Sequence, residues 1–150
     1  IYRKKGSKVT MIGQTSGTVF LDQNPVSGKS SYYAKAIKGS LTGKEGSAKK
    51  ITLPKATTKV TAKAKTDKTV VLSWKKVKGA TGYLVYRSTK KNGSYQRIAV
   101  LKKGTKCTYT DKKGLKKGMK YHYRIVTVKK KTYSPAKTTK AVKIKAAKKK

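Results

Sequence analysis

The chain of 150 residues carries 41 lysines and arginines against four acids, Asp22, Glu45, Asp67 and Asp111, for a formal net charge of +37. With so few carboxylates and one histidine, His122, little is left for positioned acid–base or nucleophilic catalysis. The lone Cys107 excludes an intrachain disulfide and a cysteine-based zinc cluster.

Low hydropathy with high net charge is the mark of a disordered tail. Ten tyrosines, one tryptophan and several alternating Val/Ile/Leu segments argue instead for a folded centre. Taken in order, the chain first shows a repeat. Ile1-Tyr2-Arg3 returns as Val85-Tyr86-Arg87. Asp22 is flanked by Phe20, Val26 and Tyr32, and Asp111 by Tyr109, Leu115 and Tyr121 at the same offsets. The separations, 84 residues from Tyr2 to Tyr86 and 89 from Tyr32 to Tyr121, suit one small sandwich per period.

Residues 1–53 are therefore expected to be the second half of a domain whose first strands lie upstream of Ile1. Val9 to Ile12, Thr18 to Leu21 and Tyr32 to Ile37 read as strands, separated by turns such as QNPVSGKS. The repeat sets Ala34 and Ala36 against Tyr123 and Ile125, which predicts a thinner core. Half a sandwich also leaves one apolar sheet face without a partner.

Pro54 marks the join, since proline suits a strand edge or a linker. Seven strands are predicted across residues 54–145: Val60 to Lys65, Val70 to Trp74, Tyr83 to Arg87, Tyr95 to Leu101, Cys107 to Thr110, Met119 to Val128 and Pro135 to Ile144. Within them Val70, Leu72 and Trp74 alternate, as do Tyr83 and Val85, and each set belongs on one side of a pleated strand. Lys91-Asn92-Gly93 is a turn sequence, because Asn and Gly tolerate positive φ. Residues 146–150 form a basic tail.

A strand with an inward tryptophan, a short basic connection and a second strand opening on Gly82-Tyr83 resembles the second and third strands of a fibronectin type III domain. Leu115 and Gly118 before Tyr121 resemble that family's leucine, glycine and corner tyrosine. The resemblance covers residues 55–145, and its second half again covers residues 1–53. It implies an all-β fold, an immunoglobulin-like antiparallel sandwich of seven strands preceded by a partial sandwich. Its core would be Val70, Leu72, Trp74, Tyr83, Val85, Leu115, Tyr121, Tyr123 and Ile125. The Tyr121 hydroxyl would return to the backbone a few residues upstream. The resemblance also implies a spacer or binding module of a larger secreted or surface protein, since bacterial members often accompany carbohydrate-active enzymes or adhesins.

His122 falls between Tyr121 and Tyr123, on the face opposite the expected core, and reads as a surface residue. Asp111 follows a strand, where a carboxylate commonly accepts backbone N–H groups. No phosphate-binding glycine loop, cofactor motif or membrane-spanning apolar run is present. The lysines are the remaining functional candidates. Ten cations against two acids give residues 1–53 a charge of +8, and 31 against two give residues 54–150 a charge of +29. Lys75, Lys76, Lys78, Lys129, Lys130 and Lys131, with Lys102 and Lys103, are expected to share one end of the sandwich, but Lys65, Lys68, Lys90, Lys91, Lys112, Lys113, Lys116 and Lys117 fall at the other, so the lysines read either as a solvated coat that protects sheet edges or as a contact for an anionic polymer. Only four of the cations are arginine, which argues against sequence-specific nucleic-acid recognition. The expected partners are upstream domains of the same chain and anionic polymers, and the expected location is extracellular or at the cell surface.

Overall fold

The computed structural model describes residues 1–144, which form strands and turns with no helix among them. The basic tail predicted for residues 146–150 lies outside the described residues. The chain divides into two compact units with the boundary between Leu53 and Pro54.

The first unit holds β1 (Tyr2–Lys5), β2 (Lys8–Met11), β3 (Gly28–Tyr33), β4 (Lys35–Lys38), β5 (Leu41–Glu45) and β6 (Lys49–Leu53). Four of these make an antiparallel sheet in the order β2-β1-β3-β6, while β4 and β5 pair only with each other. The second unit holds β7 (Thr61–Thr66), β8 (Thr69–Ser73), β9 (Gly82–Ser88), β10 (Gln96–Leu101), β11 (Thr108–Asp111) and β12 (Lys120–Lys129), followed by the short β13 (Thr132–Tyr133), β14 (Lys137–Thr138) and β15 (Val142–Lys143). One sheet runs β11-β8-β7. The other runs β10-β9-β12, with β13, β14 and β15 along its far edge.

The inner faces follow the predicted alternation. Val70, Leu72, Tyr83, Val85, Tyr123 and Ile125 are fully buried, and Trp74 and Tyr121 nearly so. Leu101, Val142 and Ile144 complete the core, and Leu115 packs against it half-buried. Trp74 meets Tyr83 edge to face, with ring centroids 5.3 Å apart, a favoured aromatic geometry.

Four expectations change. The last strand, predicted as continuous from Pro135 to Ile144, is two short fragments, β14 and β15, with β13 ending before Pro135. Pro135 has no N–H to give to a ladder, and side chains take over part of the pairing: Ser134 Oγ accepts from Thr127 N at 2.9 Å and Thr139 Oγ1 from Tyr123 N at 3.0 Å. The turn at Lys91-Asn92-Gly93 uses no positive φ at either Asn92 or Gly93. Glycine serves there for space, since a Cβ would lie 2.9 Å from that of Lys90.

In the first unit, Thr18 to Leu21 does not form a strand. Its counterpart β11 pairs with β8 in the second unit, and nothing in residues 1–53 supplies an equivalent of β8. The predicted strand from Tyr32 to Ile37 instead breaks at Ala34, where β3 leaves the sheet. Exposed Ala34 and Ala36 bury nothing that would hold it there. Of the ten exposed large apolar side chains among the described residues, seven belong to this smaller unit: Val9, Met11, Val19, Leu21, Ile37, Leu41 and Ile51.

Candidate functional site

Three connections meet at one end of the second unit. The β8–β9 loop carries Lys75, Lys76 and Lys78, the β10–β11 loop Lys102, Lys103 and Lys106, and the β12–β13 turn Lys130 and Lys131 beside Lys129. All nine are exposed. The loops abut through backbone. A Cβ on Gly104 would overlap the carbonyl of Ala80, and one on Gly82 that of Leu101, so glycine is required at both places. Thr81 latches the first loop to the third. Its N–H donates to Val128 O at 2.8 Å, its hydroxyl donates to the same oxygen at 3.2 Å, and Lys130 N–H donates to its Oγ1 at 3.1 Å. The Lys129 side chain lies across Gly79, its Nζ 3.3 Å from where a Cβ would stand. The six lysines proposed from sequence thus sit on two loops bonded to each other, and Lys102 and Lys103 on a third packed against them.

The acids lie elsewhere. Asp67 is in the β7–β8 turn, 3.4 Å from Lys117, and Asp111 ends β11. Both belong to the opposite end, with Lys65, Lys68, Lys90, Lys91, Lys112, Lys113 and Lys116 around it.

Asp111 is the hub of a buried polar cluster. Its Oδ2 accepts from Arg87 Nη1 at 2.9 Å and from the Tyr123 hydroxyl at 2.9 Å, and its Oδ1 accepts from Lys113 N at 3.3 Å. Arg87 also donates to Lys113 O at 2.6 Å. Burial, and then the charge of Asp111, push the Tyr123 hydroxyl far above its ordinary value, which keeps it a donor. Nearby, Lys116 N donates to the Tyr121 hydroxyl at 3.0 Å, and that hydroxyl reaches Gly114 O at 3.5 Å, as expected of the corner tyrosine.

The first unit repeats the cluster bond for bond. Asp22 Oδ2 accepts from Arg3 at 2.6 Å and from Tyr32 at 2.9 Å, Asn24 N donates to Oδ1 at 2.9 Å, and Arg3 donates to Asn24 O at 2.7 Å. Partial burial opposes ionisation of Asp22, but the bonds from Tyr32, Asn24 and Arg3 outweigh it and hold the carboxyl below its ordinary value. This Arg-Asp-Tyr cluster was missed from sequence, where only the backbone bond to Asp111 was expected. The signal was there in Arg3 and Arg87, each one residue after the recurring tyrosine.

His122 lies on the outward face as expected but is half-buried, its Nδ1 shielded from solvent. Cys107 is free and half-buried, its Sγ 4.0 Å from the Tyr83 hydroxyl. Among the described residues no three His, Cys, Asp or Glu side chains gather as a metal site would require, and no helix is long and apolar enough to cross a membrane.

The fibronectin type III domain family matches residues 54–142. An amylopullulanase from Thermoanaerobacterium saccharolyticum is 40% identical over 78 residues, 52% of this chain but 6% of that protein. Among solved structures, a Fn3-like protein from Clostridium thermocellum is 28% identical with a TM-score of 0.50, over 60% of this chain and 90% of that one. A two-domain fibronectin type III segment of chicken tenascin, 19% identical with a TM-score of 0.54, shares the fold over 95% of this chain and 81% of its own. The matched family spans more than half of the residues, and the two-sheet order and the Tyr121 corner agree with it: the chain belongs to the fibronectin type III domain family.

Proposed function

We propose that this chain is a non-catalytic spacer and binding module of a larger exported or cell-surface protein, accessory to a carbohydrate-active domain of the same polypeptide. The observation that carries this reading is the 40% identity to a stretch that makes up 6% of an amylopullulanase. A segment of that size suits an appendage of an enzyme better than its catalytic part. The chemistry agrees, because Asp111, Arg87, Tyr121 and Tyr123 are spent on one another and on the backbone.

The test is made in the parent protein, with residues 54–150 removed and the remaining domains checked by circular dichroism. Hydrolysis of a soluble glucan should keep its kcat/KM within about twofold, and the purified 150-residue chain should hydrolyse nothing. Retention of the parent on insoluble polymer or on cell envelopes should fall. Loss of soluble hydrolysis from an otherwise folded parent overturns the reading.

A further inference from the structure

We propose that the three-loop end of the second unit is a binding site for a linear polyol-phosphate polymer of a cell envelope, read by its charge density. Lys75, Lys76, Lys78, Lys102, Lys103 and Lys106 come from two of the loops, and Lys129, Lys130 and Lys131 from the third. Gathering these nine ammonium groups on abutting loops is electrostatically unfavourable in the free protein, because like charges repel and the two acids of this unit stand at its other end, paired with Lys117 and Arg87. A chain of phosphodiesters removes that repulsion and releases its own condensed counterions.

The loops are also held in place. The Thr81 latch, the contacts at Gly82 and Gly104 and the Lys129 stem across Gly79 fix where the charges sit, so binding orders little more than the outer side chains. The residue types set how the polymer is read, by charge and not by base. All nine cations are lysine, which meets phosphate as a point charge and lacks the bidentate fork that reads bases. Trp74, the aromatic at the start of the first loop, is buried in the core, and the exposed ring of Tyr133 lies beyond the third turn in β13, so the loops themselves offer unstacked bases no platform. The site is independent of any link to an enzyme, because binding by the 150-residue chain alone decides it.

The experiment titrates the whole chain with purified wall teichoic acid at several salt concentrations, using Trp74 fluorescence to confirm that each variant is folded. Binding should weaken linearly in log–log form with salt. Replacing Lys129, Lys130 and Lys131 with Gln should reduce the magnitude of the slope by about 2 and weaken binding at least about tenfold at low salt. The same change at Lys112, Lys113 and Lys116, with equal loss of charge, should alter binding by less than about twofold. Heparin and single-stranded DNA should compete about equally per unit charge. The proposal is overturned by absence of binding at low salt, by equal effects of the two triple variants, or by single-stranded DNA competing more than about tenfold better per charge.

Discussion

Tyr32 and Tyr123 occupy the same position of the repeat. Each lies opposite the arginine of the neighbouring strand, Tyr32 facing Arg3 and Tyr123 facing Arg87, and each donates its hydroxyl to an aspartate at 2.9 Å. Spacing alone aligned Tyr32 with Tyr121, two residues away, because the turn after Asp22 is two residues shorter than the turn after Asp111. In the corrected register Ser30 stands where the second unit has its corner tyrosine, and Ala34 where it has Ile125. Ser30 is buried with its Oγ unpartnered, so the first unit keeps the aspartate cluster and lacks the corner.

The two aspartates should therefore differ in weight. Asp111→Ala leaves the largely buried Arg87 and the Tyr123 hydroxyl without their acceptor and should cost about 3 kcal/mol in the second unit. Asp22→Ala should cost less, since Asp22 is more exposed and its unit has little core to lose. Urea unfolding followed by Trp74 fluorescence reports the first value, and hydrogen exchange at Tyr32 the second.

Acid should act on the first unit in a defined window. The folded carboxyl of Asp22 titrates below its ordinary value of 3.8, so its contribution is complete above that value and is lost as pH falls through the lower folded one. An NMR titration should place the Asp22 midpoint below 3.8, with β1–β3 protection falling in step. A midpoint above it would show that the bonds from Arg3 and Tyr32 do not form in solution.

Trp74 separates packing from polar satisfaction. Its ring is buried against Tyr83, so Trp74→Ala should cost roughly 3–5 kcal/mol. Its buried indole Nε1 makes no well-formed hydrogen bond, however, and interacts only weakly with the Tyr83 hydroxyl. Trp74→Phe removes that buried donor together with some volume and should cost less than about 2 kcal/mol. Denaturant midpoints of the two variants, followed by far-UV circular dichroism, give the comparison.

Lys130 holds φ at 54°, in the left-handed region that favours glycine, and opens the two-residue turn between β12 and β13. Lys130→Gly should therefore hold or slightly raise the Tm while removing one charge, whereas Lys130→Val should lower stability by more than about 1 kcal/mol. Calorimetry at moderate salt checks both.

Hydrogen exchange should also divide the units. We propose that residues 1–53 are the second half of a sandwich, because their sheet order β2-β1-β3-β6 matches that of β10-β9-β12 and its edge fragments, with no counterpart of the β11-β8-β7 sheet. Amides of β4 and β5 should exchange fastest and those of β9 and β12 slowest. Strong protection across Lys35–Lys38 in a proven monomer would contradict the half-domain reading.

The second unit was readable because its signals are local: alternation in β8 and β9, and the Leu115, Gly118 and Tyr121 spacing, each depend on neighbours in sequence. The basic end was legible as a list of lysines, but not the Thr81 latch, which joins residues 47 and 49 positions apart. The Asp111 cluster escaped for the same reason, since three strands supply its members. The non-strand at Thr18 to Leu21 has another origin: its residues suit a strand, and a strand needs a partner that its own sequence cannot supply.

The Asp111 cluster also bears on the order of folding. Its bonds join residues 24 and 12 positions apart, whereas the β9–β12 pairing closes a longer stretch of chain, Ser88 to His122 at the nearest. In an unfolded polypeptide of net charge +37, encounters between charged side chains are nearly all repulsive, and the four carboxylates are the only side chains whose charge attracts the rest. Asp111 is thus placed to draw β9 and β12 towards β11 before the sheet that unites them is complete. Its removal should slow folding as well as speed unfolding, and the slowing should grow as salt is withdrawn.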